Sequence, residues 1–224
     1  MAAHVAREGK PFVEQLKAEM EVHLRKLDEV PLTGAQIGEP ENVSALLKMA
    51  LKNEIEAAEI AAEWVASTPE LEAKLALARH AGDEARHYQL VAEKACELGV
   101  FLGGFDPLVP PSPVLTYLRS LSTTVERIAA ALVAREAMGG RRNAQFLKFL
   151  EAAGQKNIAQ LYRDIINPDE ERHHQAGCAV LVRLAVTREA QEAARRAALR
   201  LLEIGDQVRT AAKEKTGAPV VPGC

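Results

Sequence analysis

The sequence is poor in aromatic residues, which make up only 4% of its 224 residues. Strands recruit aromatic and β-branched side chains, so this shortage disfavours a fold built on sheets. The apolar residues, 48% of the chain, are mostly Ala and Leu, which lose little conformational entropy in a helix. The composition therefore predicts an all-α protein, and the length suffices for one domain of moderate size with a hydrophobic core.

Cysteine is also scarce, because the chain contains only Cys96, Cys178 and Cys224, and no two of them are spaced as C-x-x-C. This odd and scattered set excludes a thiolate zinc site or a rubredoxin-type iron site within the chain. Such cysteine usage is typical of a protein from a reducing compartment, so we expect a cytoplasmic location.

Long runs of apolar residues and of basic residues are missing as well. No apolar run approaches the length of about 20 residues that crosses a bilayer, and the N-terminal residues do not have the apolar segment of a secretory signal. The formal net charge is -3, and Lys and Arg form no long block. Proteins that bind nucleic acid or anionic membranes usually carry a basic patch, so neither partner is expected.

Proline, glycine and capping residues divide the chain into helical segments. Residues 1–40 form an N-terminal helical extension with a Pro/Gly-rich joint at Pro31–Pro40, residues 41–186 form a four-helix bundle, and residues 187–224 form a C-terminal helix with an irregular tail. Short connections between long amphipathic helices are typical of such bundles. Helices are predicted at Pro11–Glu29, Glu41–Ser67, Glu70–Leu98, Ser112–Leu150, Gln155–Val186 and Glu189–Lys215. An interruption is expected at Gly139–Gly140 in the third bundle helix and near Pro168 in the fourth.

The most specific signal is a five-residue string that occurs twice. Asp83-Glu84-Ala85-Arg86-His87 lies in the second bundle helix, and Asp169-Glu170-Glu171-Arg172-His173 lies in the fourth. In each copy the Glu and the final His are three residues apart, so at about 100° per residue they project from the same side of the helix. A carboxylate and an imidazole on adjacent turns can bind one metal ion. The duplication therefore predicts two metal-binding pairs.

A dinuclear site needs two more carboxylates, and each remaining bundle helix has one on its apolar face. Glu54 lies in the apolar stripe of the first helix, and Glu136 shares a face with Ile128 in the third. A carboxylate that faces a core must be protonated, paired or bound to metal. Glu84 follows Glu54 by about 30 residues and Glu170 follows Glu136 by about 34, which returns the chain to the same level at about 1.5 Å per residue. The predicted ligands are Glu54, Glu84, His87, Glu136, Glu170 and His173.

This pattern, a Glu on one helix and Glu-x-x-His on the next, occurring twice, resembles the ferritin-like di-iron carboxylate superfamily. The doubled Asp-Glu-x-Arg-His is most similar to its oxygen-activating branch, which includes the hydroxylases of bacterial multicomponent monooxygenases and the small subunit of ribonucleotide reductase. The resemblance covers about residues 42–186. It implies a ferritin-like four-helix bundle around two iron ions, with manganese or a mixed Mn/Fe pair as alternatives.

The resemblance also implies roles for the residues beside the ligands. Asp83 and Asp169 would accept hydrogen bonds from ligand imidazoles and so fix their tautomers, while Arg86 and Arg172 would pair with these acids. The chain is much shorter than the monooxygenase subunits, so their substrate channels and partner surfaces are not carried over. Tyr88 follows a ligand but points about 100° away around the helix, so a stored tyrosyl radical is not expected.

Two features of the second motif leave alternatives open. Glu171 and His174 offer the same spacing one residue further along, although the parallel with the first copy favours Glu170 and His173. Pro168 precedes the motif and either kinks the fourth helix or starts a capped helix in which Glu170 serves as a cap. A kink is the preferred interpretation.

Other residues near the predicted ligands have both a structural and a functional interpretation. His80, one turn before Glu84, is interpreted as a second-layer or core histidine, with a third imidazole ligand as the alternative. Cys178 is interpreted as a small buried apolar residue. Gly139 and Gly140, one turn beyond Glu136, either relax the helix or leave room beside the metals for oxygen or substrate.

The predicted ligand set suits reaction with O2, because two ions with mostly oxygen ligands and one imidazole each keep positions open. The sequence thus predicts an oxidase or hydroxylase that acts on a small organic molecule near Glu136. It has no flavin, nicotinamide or iron–sulfur motif, so an external electron-donor protein is expected, and the chain can also pair with a second copy as a homodimer. The alternatives are a ferroxidase or iron store, a rubrerythrin-like peroxide scavenger, and a metal-free helical interaction module.

Overall fold

The computed structural model describes residues 2–28, 40–216 and 222–223, and within these ranges it contains helices and no strand. The predicted all-α class is confirmed. The predicted joint at residues 31–39 and most of the C-terminal tail lie outside the described residues. None of the described helices combines the length and the apolarity needed to cross a membrane. The helices are α1 (Ala2–Asp28), α2 (Pro40–Ser67), α3 (Leu71–Glu97), α4 (Pro113–Arg119), α5 (Thr124–Arg127), α6 (Glu136–Ala152), α7 (Lys156–Leu161), α8 (Asn167–Leu184) and α9 (Arg188–Thr216).

Helices α2 and α3 are the first bundle pair, and their ends follow the signals in the sequence. At the end of α2 the Thr68 hydroxyl donates to the Trp64 carbonyl at 2.8 Å. Beyond the end of α3, Gly99 has a φ of 75°, a conformation that glycine adopts without steric cost. Its N–H donates to the Cys96 carbonyl at 2.9 Å, so the helix ends where the sequence predicts.

The third predicted helix, Ser112–Leu150, is interrupted, but not where the sequence indicated. Helix α4 ends at Arg119, and α5 begins after Thr123, which forms a capping box with Glu126. A capping box satisfies the free N–H groups of a new helix, so the chain restarts here. Gly139 and Gly140 lie inside α6, and an interruption at these glycines is therefore wrong.

The second half of the bundle contains two π-helical segments, each just before a predicted ligand. Ile128–Arg135 joins α5 to α6 and ends directly before Glu136, and Tyr162–Ile166 joins α7 to α8 ahead of Glu170. A π turn rotates the residues that follow it relative to an α-helix, and such turns are frequent at functional sites. Ile166 has helical dihedral angles, and α8 has no side-chain cap. The helix therefore continues through Pro168, and a capped helix start at this point is wrong.

The core consists of two apolar clusters with a layer of buried polar side chains between them. One cluster packs α1 and α9 against the bundle, and the other fills the opposite end. The change from one cluster to the other occurs along α2 between Leu51 and Ile60 and along α3 between Leu77 and Val91. The polar layer thus lies at one level across the bundle helices, where the predicted ligands are found.

The loop between α3 and α4 is held against α2 by a buried carboxylate. Glu56 is 2% exposed and accepts hydrogen bonds from the Ser112 backbone N–H at 2.8 Å and from the Ser112 hydroxyl at 2.5 Å. Lys52 Nζ lies 2.8 Å from Glu56 Oε1 and donates to the carbonyls of Pro107 and Pro110. These contacts give Glu56 a structural role away from the polar layer.

Candidate metal centre

Seven buried His and Glu side chains meet in the polar layer, and none is more than 5% exposed. Six of them are the residues that the sequence predicts as ligands, and the seventh is His80. They project from α2, α3, the first residue of α6, and α8, so both halves of the bundle contribute. The seven are Glu54 on α2, His80, Glu84 and His87 on α3, Glu136 on α6, and Glu170 and His173 on α8.

The ligand atoms of these residues form two groups, and within each group all atoms lie within 4.8 Å of one another. Such a group is compact enough for one metal ion to contact every member. Glu84 belongs to both groups, so its two oxygens are placed to bridge two ions. The two-histidine site consists of His80, Glu84, Glu136 and His173, and the one-histidine site consists of Glu54, Glu84, His87 and Glu170.

In the two-histidine site, imidazole nitrogens from two helices face two carboxylates. His80 Nε2 lies 3.0 Å from Glu136 Oε1 and 3.4 Å from Glu84 Oε1. His173 Nδ1 lies 3.2 Å from Glu84 Oε1 and 3.5 Å from Glu136 Oε2. The rings of His80 and His173 meet edge to face, with centroids 4.7 Å apart. Different nitrogens of the two rings therefore point at the same carboxylate pair.

In the one-histidine site, a single imidazole faces carboxylates on its own helix and on α2. His87 Nδ1 lies 3.5 Å from Glu54 Oε2 and 3.6 Å from Glu84 Oε2. Glu170 completes the site from α8. This site has three carboxylates and one imidazole, and is thus richer in oxygen than its neighbour.

Two acids hold the outer nitrogens of the motif histidines in a reciprocal arrangement between helices. His87 Nε2 on α3 lies 3.0 Å from Asp169 Oδ2 on α8, and His173 Nε2 on α8 lies 3.0 Å from Asp83 Oδ2 on α3. With Nε2 protonated and donating to the acid, Nδ1 is the nitrogen that faces the carboxylates and would bind a metal ion after losing its own proton. Each copy of the motif therefore orients the histidine of the other copy.

The two arginines of the motifs both contact Asp169. Arg172 pairs with Asp169 Oδ1, and Arg86 Nη1 lies 4.0 Å from Asp169 Oδ2. Asp169 is buried, whereas the Asp83 side chain is 33% exposed. The acid that orients His87 is thus more shielded from water than the acid that orients His173.

Several inward-facing atoms of the layer are buried without a hydrogen-bond partner in the described part of the chain. These atoms include both carboxylate oxygens of Glu54, both oxygens of Glu84, and Nδ1 of His87 and of His173. Buried polar atoms of this kind are costly unless something satisfies them. A divalent cation in each group would satisfy them, so the donor set fits a pair of metal ions.

Burial and the neighbouring charged groups shift the pKa values of the carboxylates and imidazoles in the polar layer. Burial raises the pKa of Glu54 to about 8, and the negative charge of Glu84 adds to the rise. Burial also opposes a charge on His87 and His173, but the surrounding carboxylates outweigh it and raise the pKa of both to about 11. At neutral pH both imidazoles therefore carry a proton that a metal ion must displace.

His80 faces the ligand groups, although the sequence does not favour it as a ligand. It was interpreted as a second-layer or core histidine, and the structure directs its Nε2 at Glu84 and Glu136. Its spacing of four from Glu84 was the available signal, since residues four apart share a helix face. The second copy of the motif has Ile166 at the corresponding position, so the comparison of the two copies did not reveal it.

The alternative pair in the second motif, Glu171 and His174, does not face the ligand groups. Glu171 is exposed and accepts a hydrogen bond from Gln175 at 2.7 Å. His174 Nδ1 donates to the Val133 carbonyl at 3.0 Å, and Cys178 lies 3.6 Å from the other nitrogen of His174. Neither residue of this pair belongs to a ligand group within the described ranges.

The comparisons with known proteins leave the site as the principal clue to function. No protein-family model, no curated protein and no solved structure matches the chain. What the molecule contains is a helical bundle with two adjacent buried groups of His and Glu that could hold metal ions.

Proposed function

We propose that this chain is a non-haem di-iron or Mn/Fe carboxylate enzyme that uses O2 to oxidise or hydroxylate a small organic molecule. The observation that carries the proposal is the pair of ligand groups joined by Glu84. Both carboxylate oxygens of Glu54 and of Glu84 are buried without a hydrogen-bond partner in the described part of the chain. The carboxylates and imidazoles of the two groups are ligands that iron and manganese accept. When bound, the two ions would supply electrons to O2.

The chain's own residues position and shield this centre. Asp83 and Asp169 fix the tautomers of His173 and His87, so that Nδ1 of each is available to a metal. The apolar clusters above and below the layer exclude water, which strengthens charge interactions inside it. An external protein is expected to supply the electrons, because the chain has no sequence motif for a redox cofactor of its own.

Oxidation of an organic molecule is favoured over iron storage by a cavity that reaches the layer. Glu136 and Glu170, one carboxylate from each site, line an opening of about 390 Å³. A cavity of this volume accommodates a small organic molecule. Gly140 lies in its wall, at the place where the sequence suggested room for oxygen or substrate.

The proposal is tested by metal content and oxygen uptake. The chain is purified without chelator, loaded anaerobically with ferrous iron or manganese, and analysed for bound metal beside Glu84→Gln and the control Glu93→Gln, an exposed Glu on the same helix. We expect about two ions per chain in the parent and the control, matching the two ligand groups. Because Glu84 belongs to both sites, its variant should lose both ions. The ferrous protein should then consume O2.

Absence of bound metal after anaerobic loading would refute the proposal. A ferroxidase or iron store is separated from the proposed enzyme by two further measurements on the loaded protein. Storage requires a hollow assembly of many chains that retains many ions per chain, which light scattering and elemental analysis would reveal. Either finding would replace the oxidase by the storage function.

A further inference from the structure

A cavity opens beside the metal centre on the side of the N-terminal helix. Its walls come from α1, α6 and α8, and its volume is about 390 Å³. Glu136 and Glu170 form the part of the wall that belongs to the ligand groups. Lys17 and Arg141 provide positive charge, and Met20 and Leu24 of α1 provide apolar surface. The metal ligands and the two cationic side chains therefore line the same cavity.

We propose that the cavity is the substrate site and that it takes a small organic acid, whose carboxylate binds Arg141 and Lys17 while its hydrocarbon part lies against α1. This inference rests on the proposed function, because it identifies the substrate class of that centre.

The charge around Arg141 favours an anionic ligand. Arg141 Nη2 lies 2.8 and 2.9 Å from the two oxygens of Glu21, and both side chains are only about one-third exposed, at 35% and 33%. The same Glu21 also lies 3.4 Å from Arg25 Nε. One carboxylate thus serves two guanidinium groups, and a ligand carboxylate would supply a second anion in geometry that Arg binds well.

The other charged groups of the wall do not oppose this assignment. Lys17 contacts Glu14 at 3.3 Å, an exposed pair that costs little to rearrange. Glu171 is exposed and is bonded to Gln175. The remaining carboxylates of the wall are Glu21, which is paired with Arg141, and Glu136 and Glu170 of the ligand groups, whose charge bound cations would balance.

An independent observation indicates that the cavity holds a polar ligand. Asn167 lies in its wall, and its Oδ1 is buried without a hydrogen-bond partner in the described part of the chain. Native proteins rarely leave such an atom unsatisfied. Because Oδ1 is an acceptor, a hydroxyl or another hydrogen-bond donor on the acid would satisfy it.

Gly140 gives a way to fill the cavity without disturbing the fold. A Cβ at this position meets no atom within 4 Å, and a Cβ at Gly82 on α3 likewise meets none. Both glycines lie inside helices, where a larger residue has the better helix propensity. Only Gly140 lines the cavity, so Gly140→Leu should occupy it and Gly82→Leu is the matched control.

The test compares acids with their uncharged amides in the zinc-loaded protein, in which the ions are redox-inert. Butanoate, 3-hydroxybutanoate, benzoate and 3-phenylpropanoate are titrated beside the four corresponding amides by isothermal calorimetry, and among the acids only the hydroxy acid carries a donor for Asn167 Oδ1. We expect at least one acid to bind at least tenfold more tightly than its amide, since hydrogen bonds to charged groups are the stronger ones. Gly140→Leu should abolish binding, and Gly82→Leu should leave it unchanged.

Arg141→Gln and Lys17→Met assign the preference to the cavity wall. Arg141→Gln should remove most of the tenfold preference, and Lys17→Met should reduce it while changing only a surface ion pair. Arg163→Gln is the control, because Arg163 forms a comparable ion pair with Glu151 away from the cavity. Thermal melting of each variant verifies that it is folded.

Three outcomes would overturn the inference. They are equal binding of every acid and its amide, an acid preference that survives in both Arg141→Gln and Lys17→Met, and binding that persists in Gly140→Leu. The zinc content of the same samples separates this result from the proposed function. Two zinc ions without acid preference refute the substrate class alone, whereas failure to bind zinc or ferrous iron refutes the metal centre.

Discussion

Replacement of Asp169 by Asn should weaken metal binding at the one-histidine site more than Asp83→Asn weakens it at the two-histidine site. Both acids lie 3.0 Å from an imidazole Nε2, and Asn keeps the size of the side chain. The buried Asp169 is 4% exposed, whereas Asp83 is 33% exposed. Water therefore screens the contact between Asp83 and His173 and compensates for its loss, as it does for surface charge pairs.

The expected magnitude follows from the loss of a charged acceptor. A hydrogen bond to a charged group contributes about 1.5–3 kcal/mol and a neutral one about 0.5–1.5 kcal/mol. The difference of roughly 1.4 kcal/mol corresponds to about a tenfold change in the dissociation constant, and changes to such orienting residues typically cost about 10- to 100-fold in metal affinity. We expect at least tenfold for Asp169→Asn and about threefold for Asp83→Asn, whose exposed contact is worth no more than about 1 kcal/mol.

The assay is competition with a chelator of known affinity for zinc or manganese, with the two dissociation constants fitted separately. Asp164→Asn is the control, because Asp164 is exposed on the π-helical segment that precedes α8. Parent-like affinity in Asp169→Asn, or a greater loss in Asp83→Asn, would show that these acids do not orient the ligand imidazoles.

Four further predictions concern the ligands and the packing around them. His80→Ala should lower the metal content from about two ions to about one per chain, since His80 belongs to only one of the two groups; two retained ions would exclude it as a ligand. The pKa values of about 11 for His87 and His173, above the usual 6.5, mean that metal must displace their protons, so affinity should rise about tenfold per pH unit per proton between pH 6 and 8. The same shifts stabilise the metal-free fold below about pH 6.5 and are lost as the pH rises towards 11, which urea titrations at several pH values would follow. Gly177→Ala should lower the free energy of unfolding by about 2 kcal/mol, because its Cβ would lie 2.8 Å from the carbonyl carbon and oxygen of Leu132; an unchanged urea midpoint would contradict this.

The convergence of the six predicted ligands could be inferred from the sequence, through its helical periodicity, its duplicated motif and the spacing between the motif members. Glu54 and Glu136 are carboxylates in apolar stripes, and a helix period of 3.6 residues places them toward the core with their apolar neighbours. The duplicated motif supplies the other ligands, and the length of chain between the members of each pair brings them to the same level. These arguments are local, and the structure brings the six side chains together as they predict.

The features that were not predicted either depend on packing or lie outside the duplicated five-residue motif. The π-helical segment Ile128–Arg135 consists of residues that form ordinary α-helices elsewhere, so propensity does not reveal it. The helix start after Thr123 could have been predicted, because Thr123 and Glu126 have the spacing of a capping box. The interruption was instead predicted at Gly139 and Gly140, because glycine has a low helix propensity. For His80 the sequence favoured a second-layer or core role over the alternative of a third imidazole ligand, and its counterpart in the second copy, Ile166, cannot bind metal.

The polar layer between the two apolar clusters has a consequence for how the helices align. If α2 or α8 moved along its neighbours by one turn, about 5.4 Å, Glu54 or Glu170 would enter an apolar cluster and lose its imidazole neighbours. An unpaired carboxylate in such surroundings costs several kcal/mol, so the layer penalises every shifted packing. The reciprocal contacts of Asp83 and Asp169 add the same penalty between α3 and α8. The residues that would hold the metal ions therefore also determine which of several similar helix packings the chain adopts, before any ion is bound.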